Sequence, residues 1–83
     1  MTLPEIRELV KNALQKMGRK DAQPVAERLL LRDRHYVGRR FEFVGVSAVW
    51  LAEAEEIKFY GESGEFLRAI QLSGERETLR RAA

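Results

Sequence analysis

The sequence predicts a small α+β domain, in which an N-terminal helical hairpin precedes a three- to four-stranded antiparallel sheet and both helices pack on one face. Two observations support this prediction. Apolar residues recur at helical spacing in the first part of the chain. After residue 35 the chain becomes rich in aromatic and β-branched residues that are interrupted by glycine, a pattern typical of strands and turns.

The first helix is predicted to begin at Thr2. Thr2 and Glu5 have the spacing of a capping box, in which each side chain accepts a hydrogen bond from the backbone N–H of the other residue. Pro4 suits the first turn, where its missing N–H is not needed. Apolar residues from Ile6 to Met17 form one helical stripe, and Gly18 is a natural end.

A second helix is predicted from Ala22 to Arg34. Asp21 is a suitable N-cap, and Pro24 is tolerated in a first turn. The connection 18–21 is short, which predicts that the two helices pack as a hairpin. The apolar face of this helix consists of Val25, Ala26, Leu29 and Leu30.

Residues 36–51 are predicted to be extended, either as one strand or as two strands broken near Gly38 or Gly45. A glycine at position 45 inside such a segment indicates a bulge or a close backbone approach. Residues 44–51 are apolar on both alternating faces. This part is therefore predicted to be a central strand that is covered on both sides.

A second hairpin is predicted from strands 56–60 and 65–72, joined by a turn between them. The alternation of side chains directs Ile57 and Phe59 inward and Lys58 and Tyr60 outward.

The length of 83 residues suits one domain. We expect residues 1–72 to form it and residues 73–83 to be a polar tail, either frayed or a short helix. A core this small is only marginally stabilising, and the absence of cysteine excludes disulfides and thiolate zinc sites as reinforcement. A second subunit is therefore a plausible extension of the core.

The localisation expected from the sequence is cytoplasmic. The longest apolar segment, 44–52, is far shorter than the ~20 residues of a membrane-spanning helix. The N-terminus also lacks the basic and then apolar layout of a secretory signal.

Catalytic and cofactor motifs are not found in the sequence. His35 is the sole histidine, and no Gly-x-Ser-x-Gly, Walker or dinucleotide motif is present. Glu53, Glu55 and Glu56 form an acidic cluster that could ligate a hard cation, but we interpret it as a solvated connection. We therefore expect a protein that is not an enzyme and that has no cofactor, no metal and no evident small-molecule substrate.

Basic residues are the candidates for contact with an anion or a nucleic acid, and Arg28, Arg32 and His35 have the i, i+4, i+7 spacing of one face of the predicted second helix. Guanidinium groups favour bidentate contact with phosphate or carboxylate. Glu27 and Asp33 dilute this set, and the second half of the chain has an excess of Glu that could pair with it. The candidates are Arg28, Arg32, Arg34, His35, Arg39 and Arg40.

Surplus apolar residues on the predicted sheet and helices indicate an interface with a second subunit. The candidates are Leu31, Val44, Val46 and Trp50. We interpret the chain as a small protein-interaction or assembly module that forms a homodimer or binds another protein. The alternative is a small nucleic-acid-binding regulator that uses the Arg-rich helix and the adjoining strand. No membrane partner is expected.

Overall fold

A computed structural model describes residues 2–19 and 21–72, so the predicted tail 73–83 lies outside the described residues. One α-helix is followed by five β-strands. They are α1 (Leu3–Lys16), β1 (Pro24–Arg32), β2 (His35–Phe43), β3 (Val46–Leu51), β4 (Glu56–Gly61) and β5 (Phe66–Gln71).

The strands form a single antiparallel meander in the order β1-β2-β3-β4-β5. The helix packs on one face of this sheet, which we call the helix-side face, and we call the opposite side the open face. The predicted helical hairpin with three or four strands is therefore wrong, because the described part of the chain has one helix and a five-stranded sheet.

The segment predicted as the second helix forms β1 instead. Its apolar residues have helical spacing, and its Ala, Glu, Arg and Leu residues all favour helices. However, Asp33 and Arg34 have positive φ angles of 51° and 70°. Two consecutive residues of this kind form the tight turn that matches the twist of a β-hairpin, and β1 pairs with β2 over most of its length. Pairing with β2 thus outweighs the local preference for helix.

The prediction for α1 is confirmed. Thr2 is the N-cap, and both hydrogen bonds of the capping box with Glu5 are present. The helix ends at Lys16, and Gly18 follows with a φ angle of 78°. The residues that α1 buries are Ile6, Val10, Ala13 and Leu14, which belong to the predicted stripe.

Residues 36–51 belong to two strands, and the break lies at Val44 and Gly45. Gly45 has a φ angle of 81° and forms the turn, so the bulge predicted there is wrong. Gly38 lies inside β2. A Cβ atom at this position would lie 1.9 Å from the backbone oxygen of Trp50, so the close backbone approach occurs at Gly38.

Strand β3 is central, as predicted, with two strands on either side. Only its helix-side face packs against α1 in the described part of the chain. On this face Val46 and Ala48 are buried, whereas Val49 on the open face is half-buried. The prediction that both faces of this strand are covered is therefore not met by the described residues.

The β4–β5 hairpin is confirmed, although β4 extends one residue beyond the prediction and β5 is one residue shorter at each end. Ile57 and Phe59 point inward and are fully buried. Lys58 and Tyr60 lie on the opposite side and are half-buried.

The core lies between α1 and the middle of the sheet. The largest fully buried side chains are Phe59, Ile6, Ile57, Leu72 and Val10. A helix is ~10–12 Å wide with its side chains, whereas five strands spaced ~4.8 Å apart span about 19 Å between their outer axes. A single helix therefore cannot cover the whole helix-side face.

Candidate interaction surfaces

The six basic residues predicted as one set are divided among three places. Because residues 24–32 are a strand, side chains alternate between faces, and the helical spacing that grouped Arg28, Arg32 and His35 no longer applies. The open face holds Arg28 and Arg40, the helix-side face holds Arg39, and the β1–β2 turn region holds Arg32, Arg34 and His35.

On the open face, Arg28 and Arg40 are direct neighbours across β1 and β2. Glu42 lies beside both: its Oε1 is 3.0 Å from Nε of Arg28 and 3.5 Å from Nε of Arg40. Along the same row of the sheet, Lys58 forms a salt bridge of 3.4 Å with Glu56. Positive and negative charges are therefore interleaved on this face.

On the helix-side face, Glu27 connects β1 to α1. It accepts two hydrogen bonds from Arg7, at 2.7 Å from Nε and 3.1 Å from Nη2, and it lies 3.5 Å from Nη1 of Arg39. The hydrogen bonds from Arg7 lower the pKa of Glu27 below its ordinary value. The same contact raises the pKa of Arg7.

The tip of the β1–β2 hairpin carries three of the predicted basic residues. Arg32 and His35 are the last paired residues, and Arg34 lies in the turn beside Asp33. Within residues 2–19 and 21–72, neither Arg32 nor Arg34 forms a salt bridge.

The four residues predicted as an interface are in different environments. Val46 is 3% exposed and belongs to the core, so it is not accessible to a partner. Val44 is 66% exposed in the β2–β3 turn. Leu31 is 63% exposed, and Trp50 is half-buried at the edge of the core. The structure places Leu31 and Trp50 on the same face and Val44 at the other end of β2.

An apolar surface connects Leu31 to Trp50. We define the hairpin patch as Leu29, Leu31, Tyr36 and Trp50. Leu31 and Tyr36 are paired across β1 and β2, and the rings of Tyr36 and Trp50 meet edge to face with 6.4 Å between centroids. Leu29 and Tyr36 are 57% and 46% exposed. The patch therefore combines aliphatic and aromatic surface that water can reach.

Arg39 borders the hairpin patch. Its Nε donates a hydrogen bond of 3.3 Å to the hydroxyl of Tyr36, and its guanidinium carbon lies 6.0 Å from the centre of the Tyr36 ring. Arg39 is paired with Leu29 on one side and Trp50 on the other. An apolar centre with an Arg and aromatic residues is typical of protein-binding surfaces.

Leu29 and Tyr36 were not among the residues predicted for an interface. Glu27, Leu29 and Leu31 share one face of the strand, but no alternation marks that face in the sequence, because Leu30 between them is also apolar. Under a helical assignment Leu29 is a core residue, so its exposure could not be predicted.

A cleft separates α1 from the β1–β2 pair. It has a volume of about 460 Å³ and extends from Arg7 of the helix to Arg19, which follows the end of the helix. We call it the α1–β1 cleft. Its walls include Val10 and Leu14 of the helix and Phe41 and Phe43 of β2. No sequence pattern indicated this cleft, because it depends on β1 being a strand.

The predicted acidic connection does not form a metal centre in the described residues. No group of three or more His, Cys, Asp or Glu side chains in residues 2–19 and 21–72 is arranged to hold a metal ion. Glu56 instead pairs with Lys58 and accepts a hydrogen bond from the Gln71 side chain.

The described helix is too short and too polar to cross a lipid bilayer. Comparisons of the chain with protein-family models, curated proteins and solved structures returned no match. The function of the chain is therefore inferred from its surfaces.

Proposed function

We propose that this chain is a protein-interaction module that assembles with a second copy of itself through the hairpin patch. The proposal is based on the exposure of Leu29, Leu31 and Tyr36. Each of these side chains is about half or more exposed, and they lie on one face beside Trp50. Exposed and contiguous apolar surface of this kind marks interaction sites on soluble proteins.

The position of the patch on an edge strand favours a second copy as the partner. β1 has nine residues and, among the strands that the structure describes, pairs only with β2. The backbone groups along its other side offer a template for another strand. If the β1 strands of two copies pair in antiparallel orientation, the two helix-side faces form one continuous face, because directly opposed residues lie on the same side of the sheet. Leu29 and Leu31 of both copies then meet at the twofold axis.

The distribution of charge also supports a protein partner over a nucleic acid. Glu27 lies between Arg7 and Arg39, and Glu42 lies between Arg28 and Arg40. A nucleic-acid-binding surface typically presents one continuous basic area. Interleaved positive and negative charges are typical of the rim of a protein–protein interface, where they contribute to the choice of partner.

Sedimentation equilibrium of the full chain tests the proposal. We expect a monomer–dimer equilibrium, and we expect Leu31→Lys to raise the dissociation constant at least tenfold, which corresponds to about 1.4 kcal/mol. Leu31 is already largely exposed in the single copy, so circular dichroism and thermal unfolding, measured at a concentration where the wild type is monomeric, should remain close to the wild type.

Val44→Lys is the matched control. Val44 is as exposed as Leu31 but lies about 25 Å of strand away, beyond the far end of β2. We expect it to leave the association unchanged. A chain that stays monomeric at the highest soluble concentration, or an equal effect of both variants, would contradict the proposal.

A second candidate function is the binding of single-stranded nucleic acid on the open face. Arg28, Arg40 and Lys58 lie in one row across the sheet. Tyr60 and Phe66 form an edge-to-face pair nearby, with 6.0 Å between centroids. Exposed sheets with basic and aromatic side chains can bind single strands by stacking and phosphate contact. We rank this function second because Glu42 and Glu56 pair with all three cations.

Fluorescence anisotropy with labelled single-stranded and duplex DNA and RNA separates the two functions. Binding on the open face requires a steep decrease of affinity with salt and a loss of affinity in Arg28→Ala and Arg40→Ala. The self-association function requires neither, and Leu31→Lys should then affect only the sedimentation result.

A further inference from the structure

The α1–β1 cleft is a second surface that is independent of the hairpin patch. It lies on the other side of Glu27 from the hairpin tip, and its lining does not include Leu29, Leu31, Tyr36 or Trp50. Its volume of about 460 Å³ is within the range of about 300–1,000 Å³ that is typical of small-molecule sites.

The walls of this cleft are mainly apolar. They come from three parts of the fold: the helix, the connection before β1, and the β1–β2 pair. Such a lining favours an aliphatic chain, because removing apolar surface from water is favourable in proportion to the area buried. The accessible apolar lining comes from Ala22, Pro24, Val25, Ala26 and Phe43, whereas Val10, Leu14 and Phe41 are almost completely buried behind it.

The charged residues at the edges of the cleft are not equivalent. Its two carboxylates are already paired, Glu27 with Arg7 and Glu42 with Arg28 and Arg40. Lys11 and Arg19 form no salt bridge with any residue in 2–19 and 21–72. The cationic charge that remains without a carboxylate partner in this part of the chain therefore belongs to Lys11 and Arg19.

Arg19 is held near the cleft by the backbone. Its Nη1 donates a hydrogen bond of 3.4 Å to the carbonyl oxygen of Gly45, while the rest of its five-donor guanidinium group remains available. Lys11 follows Arg7 by one turn on the same side of α1, and both line the cleft. Two cations from different elements therefore line the same cleft.

We infer that the α1–β1 cleft binds a single-chain aliphatic carboxylate. The chain lies against Ala22, Val25 and Phe43, and the carboxylate meets Lys11 and Arg19 at the mouth. The apolar lining selects the aliphatic part, and the unpaired cations select the anionic head. This site does not require the self-association proposed above, because all its residues come from one copy.

Isothermal titration calorimetry of the full chain with decanoate, below its micelle concentration, tests the inference. Decan-1-ol has the same chain without the charge, and butyrate has the charge without the chain. We expect decanoate to bind at least tenfold more tightly than decan-1-ol, and butyrate to give no measurable heat. Equal affinity for decanoate and decan-1-ol, or no binding of decanoate, would overturn the inference.

Variants assign the binding to this cleft. Lys11→Gln and Arg19→Gln should each weaken decanoate severalfold and leave decan-1-ol unchanged. Lys16→Gln is the matched control, since it removes the same charge from the exposed last turn of α1 without lining the cleft. Ala22→Leu places added bulk in the cleft and should weaken both ligands. If Lys16→Gln weakens decanoate as much as Lys11→Gln, the effect is general electrostatic attraction and the proposed site is wrong.

Discussion

Two parts of the helix-side face contain similar side chains in opposite environments. Beneath α1, Ile57 and Phe59 are fully buried. At the β1–β2 hairpin, Leu29 and Leu31 lie on the same face and are more than half exposed. Both parts are apolar at alternate positions of antiparallel strands. The difference arises from coverage by the helix and not from amino-acid composition.

This comparison explains why the molecule has two candidate surfaces. A single helix of 14 residues is about 21 Å long but only ~10–12 Å wide, so it covers the middle of a five-stranded sheet and leaves one side open. The hairpin patch is the part of the face that the helix does not reach. The α1–β1 cleft lies where the helix surface diverges from β1.

The largest effect that we predict concerns this difference in coverage. Phe59→Ala removes a fully buried ring and should lower the free energy of unfolding by about 3–5 kcal/mol. Leu31→Ala should change it by no more than about 0.5 kcal/mol, because the side chain is already exposed in the single copy. Urea unfolding at low protein concentration, where association is minimal, measures both.

If Phe59→Ala does not fold, Ile57→Val provides a milder version of the same test. It removes one buried methyl group and should cost about 0.5–1.5 kcal/mol. A Leu31→Ala variant that loses as much stability as Ile57→Val would show that the hairpin patch is packed within one copy. The contrast between the two parts of the face would then disappear.

The next effect concerns the close approach of β2 to β3. Gly38→Ala should lower the free energy of unfolding by about 1–3 kcal/mol, because its Cβ would lie 1.9 Å from a backbone oxygen of Trp50 and the strands must shift. Gly61→Ala is the control: the three atoms nearest to its Cβ would all belong to the side chain of Glu65, which can move. Urea unfolding should rank Gly38→Ala as the more damaging variant, and the reverse order would contradict this account.

The sequence predicted the parts of the fold in which local signals and burial agree. The capping box at Thr2 and the apolar stripe of α1 both indicate the same helix, and the alternation of Ile57 and Phe59 indicates a half-buried strand. In each case the residues that repeat are also the residues that the core buries. These elements could therefore be assigned without knowledge of the tertiary structure.

The prediction of β1 as a helix was wrong for a physical reason. As an edge strand that α1 does not cover, β1 buries neither face completely, so its sequence lacks a clear period of two. Its helix-favouring residues then give the stronger local signal. The turn at Asp33 and Arg34 contains no glycine, although both residues have positive φ angles. No local pattern therefore indicated the hairpin.

The candidate site was predicted only in part for the same reason. Leu31 and Trp50 were expected to contact a partner, and both belong to the hairpin patch. Tyr36 was placed in a strand and was not expected to contact a protein partner, and Leu29 was assigned to the apolar face of a helix. The basic residues were grouped by a helical spacing that the strand does not have. Pairing between distant residues determines which of these side chains share a face.

The smallest effect that we predict concerns Glu27, which joins the covered and uncovered parts of the helix-side face. The hydrogen bonds from Arg7 lower the pKa of Glu27 in the folded state. The negative charge of Glu27 therefore stabilises the fold at pH values above its ordinary pKa of 4.5. This contribution is lost as the pH falls through the lower pKa of the folded state. Because the pair is partly exposed to solvent, the effect should be modest and should decrease with salt.

A double-mutant cycle of Arg7→Gln and Glu27→Gln, measured by urea unfolding from neutral to acidic pH, isolates this contribution. We expect a favourable coupling between Arg7 and Glu27 at neutral pH that vanishes below the folded pKa of Glu27, where the carboxyl group is protonated. A coupling that persists unchanged in acid would mean that packing, and not charge, joins α1 to β1. In that case β1 would take part in the apolar packing of α1, and the hairpin would differ less from the part of the sheet beneath the helix.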